Sequence, residues 1–382
     1  MPDSIWISAA ETSADIYGAD LLRELHSCAP HLQFIGVGGP EMRRQGLQAF
    51  IKAEELSLMG FTEVISSIPK VLGFYKLAKR KMRTYSPRCI VLLDAPDFHF
   101  RIAKIASKLD IPVYYYISPQ VWAWRKGRIR FMRQYIRKVL CILPFEEKFF
   151  SENDLEVVFV GHPLLQQIDF DQLQDVPREN TLTILPGSRS KEVSSLLPKF
   201  AAAAEMVAAE HPGLEFRVVR SSSIPESLLR QYWASDLPLK IVPFNQRYAQ
   251  IKASRLVFTA SGTASLECAL IGTPAIVAYK VSWLSYLVAR LVVDVPYISM
   301  PNLILGQPIF PECIQSRAKP GVLAEQALQW LDSPDQLRAI GNELVALRER
   351  LGQKHAARTS AEIILQAVSS QDAKHEPTGG EA

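Results

Sequence analysis

Residues 255–279 constrain the fold more than any other part of this sequence. A short apolar run, 256–258, leads into Ser261, Gly262 and Thr263, and a helix-forming stretch and a second apolar run follow. This order of strand, loop, helix and strand is that of a βαβ unit. Small polar residues open the helix, where free backbone amides and the positive end of the helix dipole favour a bound phosphate. The segment therefore predicts an anion site at a helix N-terminus.

A second loop of the same character lies upstream. It contains Gly187, Ser188 and Arg189 after another apolar run, so it adds a guanidinium group to the backbone amides. Two phosphate-binding loops in one half of the chain predict a diphosphate ligand, most simply a nucleotide sugar.

Apolar runs alternate with helical patterns along nearly the whole chain. The strand-like runs are residues 4–9, 33–37, 89–94, 113–117, 139–143, 157–160, 181–185, 215–220, 239–242, 256–259 and 275–279. Such alternation predicts α/β architecture, with parallel sheets covered by helices on both faces. Because 382 residues are long for one core, we predict two Rossmann-like, doubly wound domains facing a cleft.

Composition suggests where these domains begin and end. We predict an N-terminal domain over residues 1–165, a polar, proline-broken linker over 166–180 and a C-terminal nucleotide-sugar-binding domain over 181–345. A helix over 346–370 would pack back on the N-terminal domain or on a partner. Residues 371–382 are expected to be disordered.

Charge and composition argue against several classes of protein. The 43 basic and 39 acidic residues give a net charge of +4 that is spread along the chain, so no nucleic-acid partner is expected. The five cysteines are far apart and lie mostly in apolar runs, as buried thiols do in a reducing compartment. Neither a signal peptide nor an apolar stretch of about 18 residues is present, which predicts a cytoplasmic protein, soluble or peripheral.

Two loops of the first half carry acidic side chains after predicted strands. In the first loop, Ser13 or Asp15 would cap a helix, or Glu11 and Ser13 would bind sugar hydroxyls. Asp94 ends an apolar strand, where a carboxylate is costly unless a partner or a substrate uses it. Because Asp97 is the better cap for the next helix, we favour a functional role for Asp94.

Other segments are open to two interpretations. Trp122 and Trp124 would pack at a domain edge, or they would form an apolar wall for a sugar ring or an acyl chain. His162 ends the last strand of the first half and is more often structural than catalytic at such a position. Residues 68–85 and 281–293 would form a solvated helix face and a core helix, respectively, or would contact lipid.

A series of motifs, taken in order over roughly residues 4–345, resembles the lipid-A-disaccharide synthase family. The most specific of them are DAPDF, SPQVWAWR, LPGSR and SGTASLE. The resemblance implies the GT-B fold of glycosyltransferases, with residues 1–165 as the acceptor-side domain and residues 181–345 as the UDP-sugar-binding domain. It also implies transfer of 2,3-diacylglucosamine from UDP-2,3-diacylglucosamine to the 6-hydroxyl of 2,3-diacylglucosamine 1-phosphate, with inversion and without a metal or other cofactor.

The same resemblance implies roles for particular residues. Asp94 matches the family's proposed base, and Glu11 and Ser13 join it as candidate catalytic residues on the acceptor or donor-sugar side. Arg189 and the helix that begins at Thr263 would stabilise the departing UDP.

Two further positions are implied as donor contacts. Glu267, one helical turn beyond the SGT loop, would bind the ribose hydroxyls, and Asn302 would contact the nucleotide or the sugar. The family works at the cytoplasmic face of the inner membrane, so a peripheral membrane protein is expected. Its members form dimers in some cases, which leaves a monomer and a homodimer open here.

Four residues depart from the family's usual pattern. Ala10 and Ala14 replace glycines, His99 replaces an asparagine and Gln307 replaces an arginine. If either alanine required a positive φ, its Cβ would cost about 1 kcal/mol or more. The departures leave two alternatives: another UDP-sugar enzyme of the GT-B class, or a catalytically silent protein that binds a UDP-sugar.

Overall fold

The computed structural model describes residues 3–57, 64–123, 127–283, 286–287 and 295–372. The chain divides into two compact units. Unit 1 comprises Met1–Pro163 and Gly352–Ala382, and unit 2 comprises Leu164–Leu351. Each unit is built on a parallel sheet.

The strands and helices follow one another in the predicted alternation. The strands are β1 (Ser4–Ala9), β2 (Gln33–Gly38), β3 (Gln48–Lys52), β4 (Cys89–Leu93), β5 (Val113–Tyr116), β6 (Lys138–Cys141), β7 (Val157–Phe159), β8 (Thr181–Leu185), β9 (Glu215–Val219), β10 (Lys240–Val242), β11 (Leu256–Ala260), β12 (Ala275–Tyr279) and β13 (Glu312–Ile314). The helices are α1 (Thr12–Cys28), α2 (Pro40–Arg44), α3 (Ala53–Ser57), α4 (Val64–Tyr85), α5 (Pro96–Ser107), α6 (Arg128–Tyr135), α7 (Pro144–Ser151), α8 (Leu164–Gln167), α9 (Phe170–Gln174), α10 (Ser190–Glu210), α11 (Glu226–Tyr232), α12 (Arg247–Ala253), α13 (Thr263–Ile271), α14 (Met300–Leu305), α15 (Pro320–Leu331), α16 (Pro334–Val345), α17 (Leu347–Arg350) and α18 (Ala356–Asp372).

Both sheets are doubly wound. The strand order is β3-β2-β1-β4-β5-β6-β7 in unit 1 and β10-β9-β8-β11-β12-β13 in unit 2. The order therefore reverses between β1 and β4 in the first sheet and between β8 and β11 in the second. Ligands of such sheets bind at the carboxyl ends of the strands that flank the reversal. The predicted pair of Rossmann-like α/β sheets is confirmed.

The central strands are apolar because both of their faces are covered. Every residue of β4 and β11 is buried, so neither strand alternates between apolar and polar side chains. The edge strands β3 and β13 have no counterpart among the predicted runs. Their mixed sequences, QAFIK and ECI, carry partly exposed polar side chains and lack an apolar signal.

Helix α18 belongs to unit 1 although it follows unit 2 in the sequence. Helix α18 packs against α1, and the chain before it passes beside Gly161. Gly161 has a φ of 91°, and a Cβ there would lie 2.4 Å from the carbonyl oxygen of Lys354. Only glycine fits this close approach of two backbones. The close approach therefore gives a structural reason for the glycine at position 161.

The predicted linker, residues 166–180, and the first residues of the predicted tail are part of the two units. Residues 166–180 lie in unit 2 and contain α9, after which Arg178 donates to the hydroxyl of Thr273 at 2.8 Å and to the carbonyl of Gly272 at 2.7 Å. Of the predicted tail, Gln371 and Asp372 end α18, and 373–382 lie outside the described residues. Within the described part of the chain, every helix is too short or too polar to cross a membrane.

Candidate active site

The strand reversal of unit 1 brings three predicted site residues to one edge of the sheet. Ala9 of β1 pairs with Leu93 of β4, so the two loops that follow leave the sheet side by side. One loop carries Glu11, the N-cap of α1, and Ser13 in the first turn. The other begins at Asp94, which is half-buried. These side chains stand where a doubly wound sheet binds its ligand.

The capping role expected for Ser13 or Asp15 at the start of α1 is wrong. Asp15 lies inside α1, and its carboxylate instead accepts hydrogen bonds from the amides of Gly39 at 2.7 Å and Glu41 at 2.9 Å, at the start of α2. A carboxylate is favourable there because the first amides of a helix have no acceptor inside it. Asp15 thus links α1 to the start of α2.

The alanines that replace glycines beside this loop cause no backbone strain. Neither Ala10 nor Ala14 has a positive φ, and both side chains are buried. The penalty considered for these positions therefore does not arise. Gln307, the one of the four departures that lies in unit 2, donates to the carboxylate of Glu343.

The backbone at Asp94 turns sharply out of β4. Asp94 has a φ of 52° and Ala95 a φ of 45°, so two consecutive non-glycine residues adopt the left-handed conformation. Such residues persist only where the surrounding structure holds them, and they concentrate at functional sites. Here the amide of Asp94 donates to the carbonyl of Ile117 at 3.2 Å, and its carbonyl accepts from the Tyr115 hydroxyl at 2.7 Å.

Two histidines of unit 1 are buried and neutral. Burial lowers the pKa of His99 to about 4 and the pKa of His162 to about 3. For His99 a hydrogen bond with the carbonyl of Asp94 opposes the effect of burial. A neutral, buried His162 fits the structural role that is more common at such a position.

These histidines should make the protein less stable in acid. The unfolded chain protonates them below about pH 6.5, whereas the folded protein keeps them neutral to lower pH. The unfolded state therefore binds more protons in this window, and the free energy of unfolding falls as the pH drops, by up to about 1.4 kcal/mol per pH unit for each histidine. Urea denaturation at pH 7 and pH 5 should show the loss, and His162→Phe should reduce it. An equal loss in the variant would contradict the assignment.

The loop that contains Ser118 and Trp122, called here the tryptophan loop, is held in place by a buried carboxylate. Glu146 accepts hydrogen bonds from the Trp122 indole and the Ser118 hydroxyl, both at 2.9 Å, and from the amides of Leu143 at 3.1 Å and Ile142 at 3.3 Å. Burial raises the pKa of Glu146 to about 7, and these four bonds oppose the rise. Trp122 is itself buried and takes the packing role. Trp124 lies outside the described residues.

The strand reversal of unit 2 brings the two predicted phosphate loops together. Thr259 of β11 pairs with Leu185 of β8, so the SGT and LPGSR loops leave the sheet next to each other. The amide of Ser261 donates to the carbonyl of Ala278 on the neighbouring strand at 3.0 Å. Gly262 and Thr263 are exposed, and a Cβ on Gly262 would meet no described atom within 4 Å. The N-terminus of α13 is therefore open to an anion.

The LPGSR loop differs from this expectation, since a carboxylate of its own helix already occupies its amides. Ser188 and Arg189 donate to Glu192 Oε2 at 3.0 and 3.3 Å, and the Arg189 guanidinium donates to Oε1 at 3.1 Å. A Cβ on Gly187 would lie 2.5 Å from the same Oε2. The Arg189 side chain is 67% exposed. A ligand at this loop would therefore reach the exposed Arg189 guanidinium more readily than the backbone amides of Ser188 and Arg189, which already have an acceptor.

Glu267 and Asn302 are engaged inside unit 2. Glu267 is buried and pairs with Arg247 at 3.2 Å, and burial raises its pKa. The Asn302 amide is buried and bonds Phe310 and Glu312, each at 2.9 Å. A ligand contact would require these bonds to rearrange, so both assigned roles stay predictions.

The structure also brings together two lysines that no sequence motif marks. Lys280 directly follows β12, and Lys199 lies on α10. Burial and, next, the charge of Lys280 lower the pKa of Lys199. Two ammonium groups so close repel each other, and a bound anion would relieve that repulsion. The pair is formed by the fold from distant parts of the chain, so only the structure could reveal it.

Comparison with known proteins agrees with the motifs. The family model described as Lipid-A-disaccharide synthetase matches residues 5–368. The lipid-A-disaccharide synthase of Syntrophus aciditrophicus (strain SB) is 36% identical over 96% of this chain and 98% of its own. That of Myxococcus xanthus (strain DK1622) is 35% identical, again over 96% of this chain and 98% of its own.

Solved structures of low identity share the fold. A UDP-GlcNAc 2-epimerase from Neisseria meningitidis bound to UDP-GlcNAc superposes with a TM-score of 0.63 at 11% identity, over 97% of this chain and 100% of its own. MurG from Acinetobacter baumannii superposes with a TM-score of 0.59 at 15% identity, over 96% and 100%. The predicted GT-B fold is confirmed. The protein is a glycosyltransferase that belongs to the lipid-A-disaccharide synthase family.

Proposed function

We propose that this protein transfers 2,3-diacylglucosamine from UDP-2,3-diacylglucosamine to the 6-hydroxyl of 2,3-diacylglucosamine 1-phosphate. The products are the β-1,6 lipid A disaccharide 1-phosphate and UDP. Within the family, one observation supports this assignment: in each unit, the loops expected to act lie at the carboxyl ends of the two strands where the strand order reverses.

Asp94 serves as the general base in this proposal. Inverting transfer needs a group that takes the proton of the 6-hydroxyl while the oxygen attacks the anomeric carbon and UDP departs. A positioned carboxylate contributes about 10²–10⁴ to the rate of such a step. Glu11 and Ser13, at the same edge of the unit 1 sheet, bind and orient sugar hydroxyls.

Unit 2 stabilises the departing UDP. Negative charge grows on the diphosphate as the sugar leaves, and fixed positive charge lowers the barrier most where it meets that growing charge. The open N-terminus of α13 at Thr263 and the exposed guanidinium of Arg189 supply this charge, and Lys280 and Lys199 add to it. Glu267 completes the donor site as a contact of the ribose hydroxyls, and Asn302 as a contact of the nucleotide or the sugar.

Lys280→Gln should weaken binding of UDP by about tenfold or more, because a charge-assisted hydrogen bond contributes roughly 1.5–3 kcal/mol. Isothermal titration calorimetry with UDP measures the effect directly. Lys240→Gln is the matched control, since Lys240 is also an exposed lysine but begins β10 at the opposite edge of the sheet and pairs with Glu215 at 3.0 Å. Equal affinity in the two variants would remove Lys280 from the donor site.

We also propose that the protein binds the cytoplasmic face of the inner membrane, because both substrates are acylated. Helix α4 presents Lys76, Lys79, Arg80 and Arg83 around a surface groove, and its Leu72 is 49% exposed. Anionic lipid attracts such a helix through charge and apolar area together. Sedimentation with anionic vesicles at low salt, with less bound at high salt, is expected. The state of assembly, monomer or homodimer, can be measured by light scattering.

The activity itself has a direct test. Purified protein is incubated with UDP-2,3-diacylglucosamine and 2,3-diacylglucosamine 1-phosphate, and UDP and the disaccharide are measured together. Equal amounts of both products support the proposal. UDP release that does not require the acceptor would indicate a hydrolase, and binding without turnover would indicate a silent UDP-sugar-binding protein.

A further inference from the structure

His99 links the first strand of unit 1 to the strained backbone at Asp94. The imidazole is completely buried, with Nε2 2.8 Å from the hydroxyl of Ser8 in β1 and Nδ1 2.6 Å from the carbonyl oxygen of Asp94. It sits in the first turn of α5, directly after the turn that begins at Asp94. One side chain therefore joins β1 to the turn that directly follows β4, at the point where the strand order reverses.

The chemistry of the two partners determines where the proton lies. A carbonyl oxygen only accepts, so Nδ1 of His99 must carry the hydrogen and donate to Asp94. The buried ring is neutral, so Nε2 is an acceptor and the Ser8 hydroxyl donates to it. The result is a directed chain of hydrogen bonds from Ser8 through His99 to the carbonyl of Asp94, in which each buried polar atom has a partner.

This chain of hydrogen bonds ends at the peptide group between Asp94 and Ala95, whose backbone is strained. Asp94 and Ala95 both have positive φ, and the carbonyl of Asp94 accepts from two donors at once, His99 and the Tyr115 hydroxyl. Left-handed conformations of non-glycine residues relax unless such contacts hold them. A rotation of this peptide would change the direction in which the Asp94 carboxylate leaves the strand.

We propose that His99 is a positioning residue for the transfer reaction, and that its Nδ1–H bond to the Asp94 carbonyl fixes the direction of the Asp94 carboxylate. The inference depends on the proposed role of Asp94 as the base. His99 does not touch the substrate. Loss of the bond allows the carboxylate to shift, and a shift of about 1 Å in a reacting group reduces the rate on the order of a hundredfold.

Two substitutions at His99 distinguish the hydrogen bond at Nδ1 from the hydrogen bond at Nε2. Asn places its amide nitrogen near the position of Nδ1, whereas Gln places it near the position of Nε2. His99→Asn should therefore keep kcat close to wild type, and His99→Gln should lower kcat by roughly tenfold to a hundredfold with the KM for the UDP-sugar unchanged. Tyr115→Phe, which removes the other donor to the same carbonyl, should have a smaller effect of the same kind.

A control on the same helix accounts for loss of stability. Ile102→Val removes one methyl group from a completely buried side chain of α5 that is not part of the hydrogen-bond chain. It should lower the melting temperature and leave kcat unchanged. Equal kcat values for the Asn and Gln variants, whether both high or both low, would overturn the inference.

Asp94→Asn, measured in the same assay, distinguishes this inference from the proposed function. If Asp94→Asn is inactive and His99→Gln is as fast as wild type, the positioning role of His99 is wrong and the base assignment stands. If Asp94→Asn keeps most of its activity, the base assignment fails and the positioning role fails with it.

Discussion

Asp94→Asn is expected to lower kcat at least about a hundredfold while the protein binds UDP as before. Asparagine has nearly the same shape as aspartate and tolerates the left-handed backbone at this position, so the turn after β4 should remain. The amide cannot accept the proton of the acceptor hydroxyl. The loss should therefore appear in the rate of UDP release under saturating substrates, with UDP affinity, measured by calorimetry, unchanged.

Asp97→Asn provides the matched control. Asp97 lies three residues further along, in the first turn of α5, where its 76% exposed side chain pairs with Arg128. Loss of this surface pair should leave kcat close to wild type. If Asp94→Asn retains most of its activity, the base must be sought elsewhere. Glu11, at the same edge of the sheet, becomes the next candidate, since His162 is buried.

Glu146→Ala is expected to lower the free energy of unfolding by at least about 3 kcal/mol. The substitution leaves four buried donors without an acceptor, among them the Trp122 indole and the Ser118 hydroxyl. Each buried donor that loses its hydrogen-bond partner costs about 1–3 kcal/mol. Urea denaturation followed by circular dichroism measures the change. Tryptophan fluorescence should shift as the loop around Trp122 loosens.

Glu147→Ala is the control for Glu146→Ala. It tests whether the expected loss of stability comes from the buried position of Glu146 or from the loss of any glutamate in α7. Glu147 is the next residue of α7, but its carboxylate accepts from the amide of Phe159 at an exposed site, at 3.0 Å. Its removal should lower the free energy of unfolding by about 1 kcal/mol or less. Similar losses for the two variants would show that the buried anchor under the tryptophan loop contributes little.

The central part of each sheet could be predicted from the sequence because it is buried on both faces. Strands such as β4 and β11 appear as unbroken apolar runs that end at a turn. Since ligands of doubly wound sheets bind at the strand ends, Asp94 and the SGT loop could be placed as well. The edge strands β3 and β13 could not, because half-exposed strands carry no such pattern.

The partners of the carboxylates could not be predicted. Asp15, Glu146 and Glu192 each accept bonds from backbone amides, and a sequence shows an acidic residue without showing which amides will face it. Because Glu192 accepts from the amides of the LPGSR loop, those amides are less available to a phosphate than the sequence predicts. The Lys199 and Lys280 pair was likewise hidden, because its members are far apart in the chain. Folding, rather than local pattern, decides such contacts.

The placement of α18 has a consequence for biosynthesis. Unit 1 is interrupted in the sequence by the whole of unit 2, and the helix that packs on α1 leaves the ribosome only after unit 2. Unit 2 is complete in sequence earlier, so it can reach its native state while the nascent N-terminal sheet still exposes the surface of α1. A transcript truncated before this helix would yield a protein in which unit 2 is complete and unit 1 lacks the helix that covers α1.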